Sequence, residues 1–172
     1  MARLAEAGAS TREGLRRRGV GRTHPEAVLV PETPTPIRVL FLCTGNSARS
    51  QMAEGILRLL GGDRVEAFSA GTDPADEVHP LAIATMAERR IDISQHRPKP
   101  LSEFEGQRFD LLVSVCDGAR QACPVYEGAE KRLHWPLADP AIATGTEQHR
   151  LGAFRRTADE LGEHIRGLLR SL

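Results

Sequence analysis

From Ile37 onward, short apolar runs alternate with segments of helical period, and no other feature restricts the fold as strongly. "IRVLFLC" (37–43), "VEAFSAG" (65–71), "FDLLVSVC" (109–116) and "RLHWPL" (132–137) read as strands. Between and after them lie 48–61, with Met52, Ala53, Ile56, Leu57 and Leu60 in one stripe, 79–90, and 147–172, whose stripe runs through Leu151, Phe154, Ala158, Leu161, Ile165 and Leu168. Mostly apolar strands separated by helices predict an α/β fold, a four-stranded parallel sheet with helices on both faces.

The 172 residues suit one domain. Residues 1–36 mix arginine, glycine and proline without sustained period, so they are expected to form a flexible extension ahead of a domain at 37–172. The "RRR" at 16–18 reads as a solvated cluster. The 23 basic and 23 acidic side chains cancel, which argues against nucleic acid or an anionic membrane as partner. No membrane-length apolar run and no secretory-type apolar segment near Met1 are present, so a cytoplasmic location is expected. Three cysteines, at 43, 116 and 123, do not make a disulfide framework; in a reducing compartment such residues serve as ligands, redox groups or nucleophiles.

Cys43 stands where a parallel strand hands over to a helix, at the carboxyl edge where such sheets bind ligands. The loop Thr44, Gly45, Asn46, Ser47, Ala48, Arg49 can turn backbone N–H groups toward an oxyanion, and Arg49 adds a planar fork for two of its oxygens. Ser50 can donate to the sulfur. Together these features predict a depressed Cys43 pKa and a nucleophilic thiolate. The alternative is an inert buried cysteine before an ordinary turn, which spacing alone does not exclude.

The segment "VLFLCTGNSARSQMAE" resembles the nucleophile loop of the low-molecular-weight protein tyrosine phosphatase fold, and specifically its arsenate reductase branch. "FSAG" (68–71), "DLLVSVCDGARQACP" (110–124) and "HWPLADPA" (134–141) follow in the order that family presents them. The resemblance covers about 37–172 and implies that Asp139, held extended by Pro140, is the general acid. Phosphatases of this fold usually carry an aromatic residue after that Asp-Pro pair. Ala141 stands here, which favours a small inorganic oxyanion over an aryl phosphate.

Cys116 and Cys123 read in several ways: two buried apolar cysteines, half of a zinc site, or a redox pair. Their spacing is too wide for a zinc knuckle, and no second pair exists, so no metal is assigned. If the intervening residues are helical, they rise about 10.5 Å, beyond the roughly 7 Å that a disulfide spans, so oxidation must unwind them. The resemblance supports a redox pair and implies a Cys43–Cys116–Cys123 thiol–disulfide relay on arsenate, regenerated by thioredoxin, with no cofactor. Some members bind potassium near the loop through residues corresponding to Asn46, Glu54, Ser69 and an acidic group. Lys99 occupies the acidic position, so no potassium requirement is expected. Trp135 is expected to pack near the site and His134 to be structural. A monomer is expected. The competing functions are a low-molecular-weight phosphatase and a non-catalytic oxyanion or redox sensor.

Overall fold

The structure is a computed structural model that describes residues 35–116, 118 and 126–172. Residues 1–34, which carry most of the expected extension, and Cys123 lie outside the described residues. Four strands form one sheet: β1 (Ile37–Cys43), β2 (Val65–Gly71), β3 (Phe109–Ser114) and β4 (Ala129–His134). Their order is β2-β1-β3-β4, and every pairing is parallel. β1 is central, with all of Val39 to Leu42 buried completely.

Helices α1 (Arg49–Gly61), α2 (Pro80–Ala87) and α3 (Glu147–Ser171) follow from local chemistry. Pro80 opens α2 with its φ already set for a helix, and the His79 side chain caps it by accepting from the Leu81 N–H at 3.1 Å. Thr146 caps α3 through the His149 N–H at 3.2 Å. α1 has no side-chain cap. Its first-turn N–H groups therefore remain available at the loop that feeds it.

Alternation along a strand assigns the faces. Ser69 on β2 donates to Glu54 of α1, and Phe41 on β1 meets Trp135, which stacks on His164 of α3 at 4.9 Å. α1 and α3 therefore share one face. Phe68, next to Ser69, points the other way and meets Phe104 edge-on at 6.0 Å, within the 3-10 turn Leu101–Phe104. Among the described residues that turn gives helical cover to the opposite face, where Phe104, Phe109 and Tyr126 continue the aromatic cluster.

Three boundaries differ from expectation. β4 spans Ala129–His134, not 132–137, because it is a charged edge strand, and the proline at 136 has no N–H to extend the ladder. α2 stops at Ala87 rather than at residue 90, where Arg90 takes a left-handed φ of 59°. β3 ends at Ser114, leaving Cys116 just beyond it.

Candidate active site: an oxyanion loop around Cys43

Cys43 is the last residue of β1 and is 3 % exposed. Beyond it the backbone turns so that each carbonyl from 43 to 48 finds a donor elsewhere. The Cys43, Thr44, Gly45 and Ser47 oxygens accept from the N–H groups of Thr72, Asp73, Ala75 and His79 at 3.1, 3.0, 2.8 and 2.8 Å. The Asn46 oxygen accepts from Gln51 Nε2 at 3.0 Å, and the Ala48 oxygen from Met52 N at 2.9 Å. With the carbonyls tied outward, the Asn46 and Ser50 N–H groups are turned onto the Cys43 sulfur, the kind of arrangement that suits an anion. The segment 72–78, which sequence reasoning assigned to no element, is thus with His79 the outer wall of the site.

Asn46 takes a left-handed φ of 47°, a conformation that asparagine tolerates better than most residues. This turns its N–H onto Cys43 Sγ at 3.1 Å. Its Nδ2 donates to Ser50 Oγ at 2.8 Å, and Ser50 Oγ lies 2.8 Å from Cys43 Sγ. Gly71 is required alongside, because a Cβ there would stand 2.5 Å from the Thr44 carbonyl oxygen.

Arg49 and Asp139 meet at this loop. Arg49 donates to the Leu137 carbonyl at 3.0 Å and pairs with Asp139 Oδ2 at 3.0 Å. The other Asp139 oxygen accepts from the Ala141 N–H at 3.0 Å, which aims the carboxyl. An anion bound in the loop would compete with Asp139 for the Arg49 fork and so free the carboxyl beside it.

The expected acidification of Cys43 is not what this arrangement produces. Burial pushes the thiol up, and this outweighs the lowering by Ser50 and by the Ser50 and Asn46 N–H groups. The cation expected to help, Arg49, is engaged by Asp139 and Leu137.

Cys116 is buried, and its Sγ lies 3.4 Å from Thr44 Oγ1, the residue next to Cys43. At Gly118 a Cβ would come within 2.8 Å of the same hydroxyl, so Gly118 lies against the loop. The structure therefore brings Cys43, Thr44, Asn46, Arg49, Ser50, Cys116 and Asp139 together. Trp135 is buried against Phe41, and the His134 Nδ1 lies 2.9 Å from Ser114 Oγ.

Glu54, Ser69, Asn46 and Lys99 also meet. Glu54 Oε2 accepts from Ser69 at 2.5 Å and lies 3.6 Å from Lys99 Nζ, while Oε1 pairs with Arg58 at 2.6 Å. Asn46 Oδ1 accepts from the Lys99 N–H at 2.8 Å. Two residues were missed from the sequence: Gln51, which looks like one more polar position on a helix, and His96, which touches it at 3.0 Å. No local signal marks either one.

The model of the family described as low molecular weight phosphotyrosine protein phosphatase matches residues 38–172. An arsenate reductase of Halalkalibacterium halodurans is 41 % identical over 128 residues, covering 74 % of this chain and 91 % of its own length. A solved arsenate reductase in the phosphate binding state superposes with a TM-score of 0.68 at 32 % identity, over 78 % of this chain and 98 % of that one. A thioredoxin-dependent arsenate reductase of Corynebacterium glutamicum does so with a TM-score of 0.63 at 32 % identity, over 81 % of this chain and 63 % of that one. With its parallel sheet, its cysteine loop and the arginine and aspartate facing each other across it, this chain belongs to the low molecular weight phosphotyrosine protein phosphatase family.

Proposed function

We propose that this chain reduces arsenate to arsenite by a relay of three thiols. The Cys43 thiolate attacks arsenic and an S–As bond forms. An As–O bond breaks, and the leaving oxygen takes the proton of Asp139 to depart as water. The loop N–H groups and Arg49 hold the remaining oxygens. The Cys116 thiolate then attacks Cys43 Sγ. A Cys43–Cys116 disulfide forms, the S–As bond breaks, and its electron pair stays on arsenic, which leaves as arsenite. Cys123 next attacks Cys116, releasing Cys43 as a thiolate and leaving a Cys116–Cys123 disulfide for thioredoxin to reduce.

The observation that carries this reading is Cys116 held against Thr44, one residue from the nucleophile, because a phosphatase needs no second sulfur there. The relatives named arsenate reductase support the same substrate, and the thioredoxin-dependent relative supports the same reductant. Ala141, where an aromatic residue would pack on an aryl phosphate, weighs against phosphatase as the main role. An oxyanion or redox sensor would not need Asp139 aimed beside Arg49. Lys99 supplies the cation beside Glu54, so no potassium is required. The chain acts as a cytoplasmic monomer.

The test is arsenate-dependent NADPH oxidation with thioredoxin and its reductase. Cys43→Ser, Cys116→Ser and Cys123→Ser each abolish multiple turnover. Sustained turnover by Cys123→Ser overturns the three-sulfur route in favour of two cysteines and an outside thiol.

A further inference from the structure

The turn that carries Asp139 is rooted in the sheet by one aromatic residue. Trp135, the single tryptophan of the chain, follows β4 and is buried. Its N–H donates to the Ser114 carbonyl at 2.9 Å, which carries the β3–β4 ladder one step past His134. Its own carbonyl accepts from the Leu137 N–H at 2.9 Å and closes a three-residue turn around Pro136, whose ring presets the backbone there. The buried Leu137 then offers the carbonyl that Arg49 holds at 3.0 Å, and two residues on Asp139 pairs with the same guanidinium. Where the Trp135 ring sits therefore bears on where the Asp139 carboxyl sits.

Two other elements hold that ring. Phe41, on β1, meets it at 5.8 Å, and His164 of α3 lies flat on it at 4.9 Å with 13° between the planes. Both separations fall where aromatic rings attract beyond the area they bury. Leu161 and Leu168, both buried, stand one turn to either side of His164, so docking of α3 on the sheet sets the position of the imidazole. His164 itself is exposed. Its ring therefore covers the buried indole from outside rather than filling the core. We propose that Trp135 and His164 are positioning residues, whose stack clamps the acid turn to α3 and so aims the Asp139 carboxyl at the Cys43 loop.

Asp139 needs such a clamp because it is partly exposed and because an anion in the loop takes Arg49 from it. From that moment the carboxyl depends on its own turn. There the Ala141 N–H holds one oxygen at 3.0 Å, and the far end is pinned by the buried Pro140. The 3-10 turn Pro140–Ile142 packs on α3 as well, so one helix holds both roots of the acid turn. The Cys43 loop is held separately, by the N–H groups of Thr72, Asp73, Ala75 and His79. Loss of the stack therefore costs proton delivery and leaves the thiol as it was.

This inference rests on Asp139 as the general acid of the proposed reaction, and half of its test needs no turnover. His164→Ala removes the ring from an exposed helix position, and His164→Phe keeps a flat ring there. In His164→Ala the Trp135 emission is expected to move to longer wavelength, and amide exchange read by NMR is expected to quicken at Leu137 and Ala141 but not at Thr72 and Ala75. His164→Phe is expected to restore the parent's values. Parent exchange rates at Leu137 and Ala141 in His164→Ala, or faster exchange at all four amides, overturn the proposal. In rapid-quench measurement of the first turnover, His164→Ala is expected to lower the rate at saturating arsenate by about 3- to 10-fold, with the half-saturating concentration unchanged. His164→Phe is expected to recover the rate. Combined with Asp139→Asn, His164→Ala is expected to cost nothing further, because no proton remains to be aimed. An unchanged rate in His164→Ala, or an equal loss in the presence of Asp139→Asn, overturns the proposal. A parent chain that leaves arsenate unreduced sinks the proposed substrate instead, and the exchange rates then decide this inference alone.

Discussion

The Cys43 loop and the Asp139 turn, which carry the two halves of the proposed reaction, are built in opposite ways. In the loop, Asn46 and Ser50 are fully buried, and each backbone carbonyl from 43 to 48 has a donor. In the turn, the Asp139 side chain is 37 % exposed and is held by one N–H and one guanidinium. Arg49 touches both. A nucleophile gains from a fixed position, because misplacement costs rate directly. A proton donor must part from Arg49 when the oxyanion arrives and must then exchange its proton with water. Rigidity and exposure are thus divided between the two regions by chemical need.

The largest expected effect breaks the acid side. Asp139→Asn keeps the shape and removes the transferable proton, so kcat falls by about 10²–10⁴-fold. The thermal midpoint moves little, because a partly exposed ion pair contributes at most about 1 kcal/mol. Rapid-quench measurement of the first turnover checks this; an unchanged rate would remove the acid from the turn.

A smaller effect breaks the loop side. Gly71→Ala drives a Cβ to 2.5 Å from the Thr44 carbonyl and about 3 Å from Asn46. Overpacking of this kind costs about 1–3 kcal/mol, read as a lower urea midpoint. Cys43 alkylation should change with it, since Thr44 and Asn46 must shift. A variant with the parent's stability would show the loop to be more compliant than its bonding implies.

The smallest effect lies away from both regions. Arg155 holds the Glu88 carboxyl below its ordinary range, and Arg97 does the same for Glu103. A folded-state value below the unfolded one gives stability that is present above the unfolded pKa and lost as pH falls through the folded one. Urea midpoints should therefore drop slightly in mild acid, less so in Glu88→Gln, while the Cys43 alkylation rate at neutral pH stays the same in that variant. A changed rate would tie the surface pairs to the site after all.

Much of the site was legible from residue order. Cys43, Arg49 and Ser50 lie within one turn of chain, so a strand ending, a glycine-containing loop and a helix start suffice to place them together. Asp139 was readable only through the family resemblance, because 90 positions separate it from Arg49 in the chain. β4 was misplaced by three residues at each end because an edge strand with three consecutive charged residues lacks the apolar run that marks a buried one. Gln51 was hidden for a different reason: on a helix of period 3.6, a buried glutamine and a solvated one look alike until the packing is known.

The sequence by itself determined the class of fold, the order of its elements and the place of the cysteine loop between a strand and a helix, since these follow from local periodicity and from groups adjacent in the chain. Tertiary structure decided the rest. It set Arg49 against Asp139, Cys116 against Thr44, and His96 and Lys99 against the polar side of the nucleophile loop. These contacts join residues 45 to 90 positions apart, as hydrogen bonds and charge pairs act through space and depend on burial that only the packed sheet and helices create.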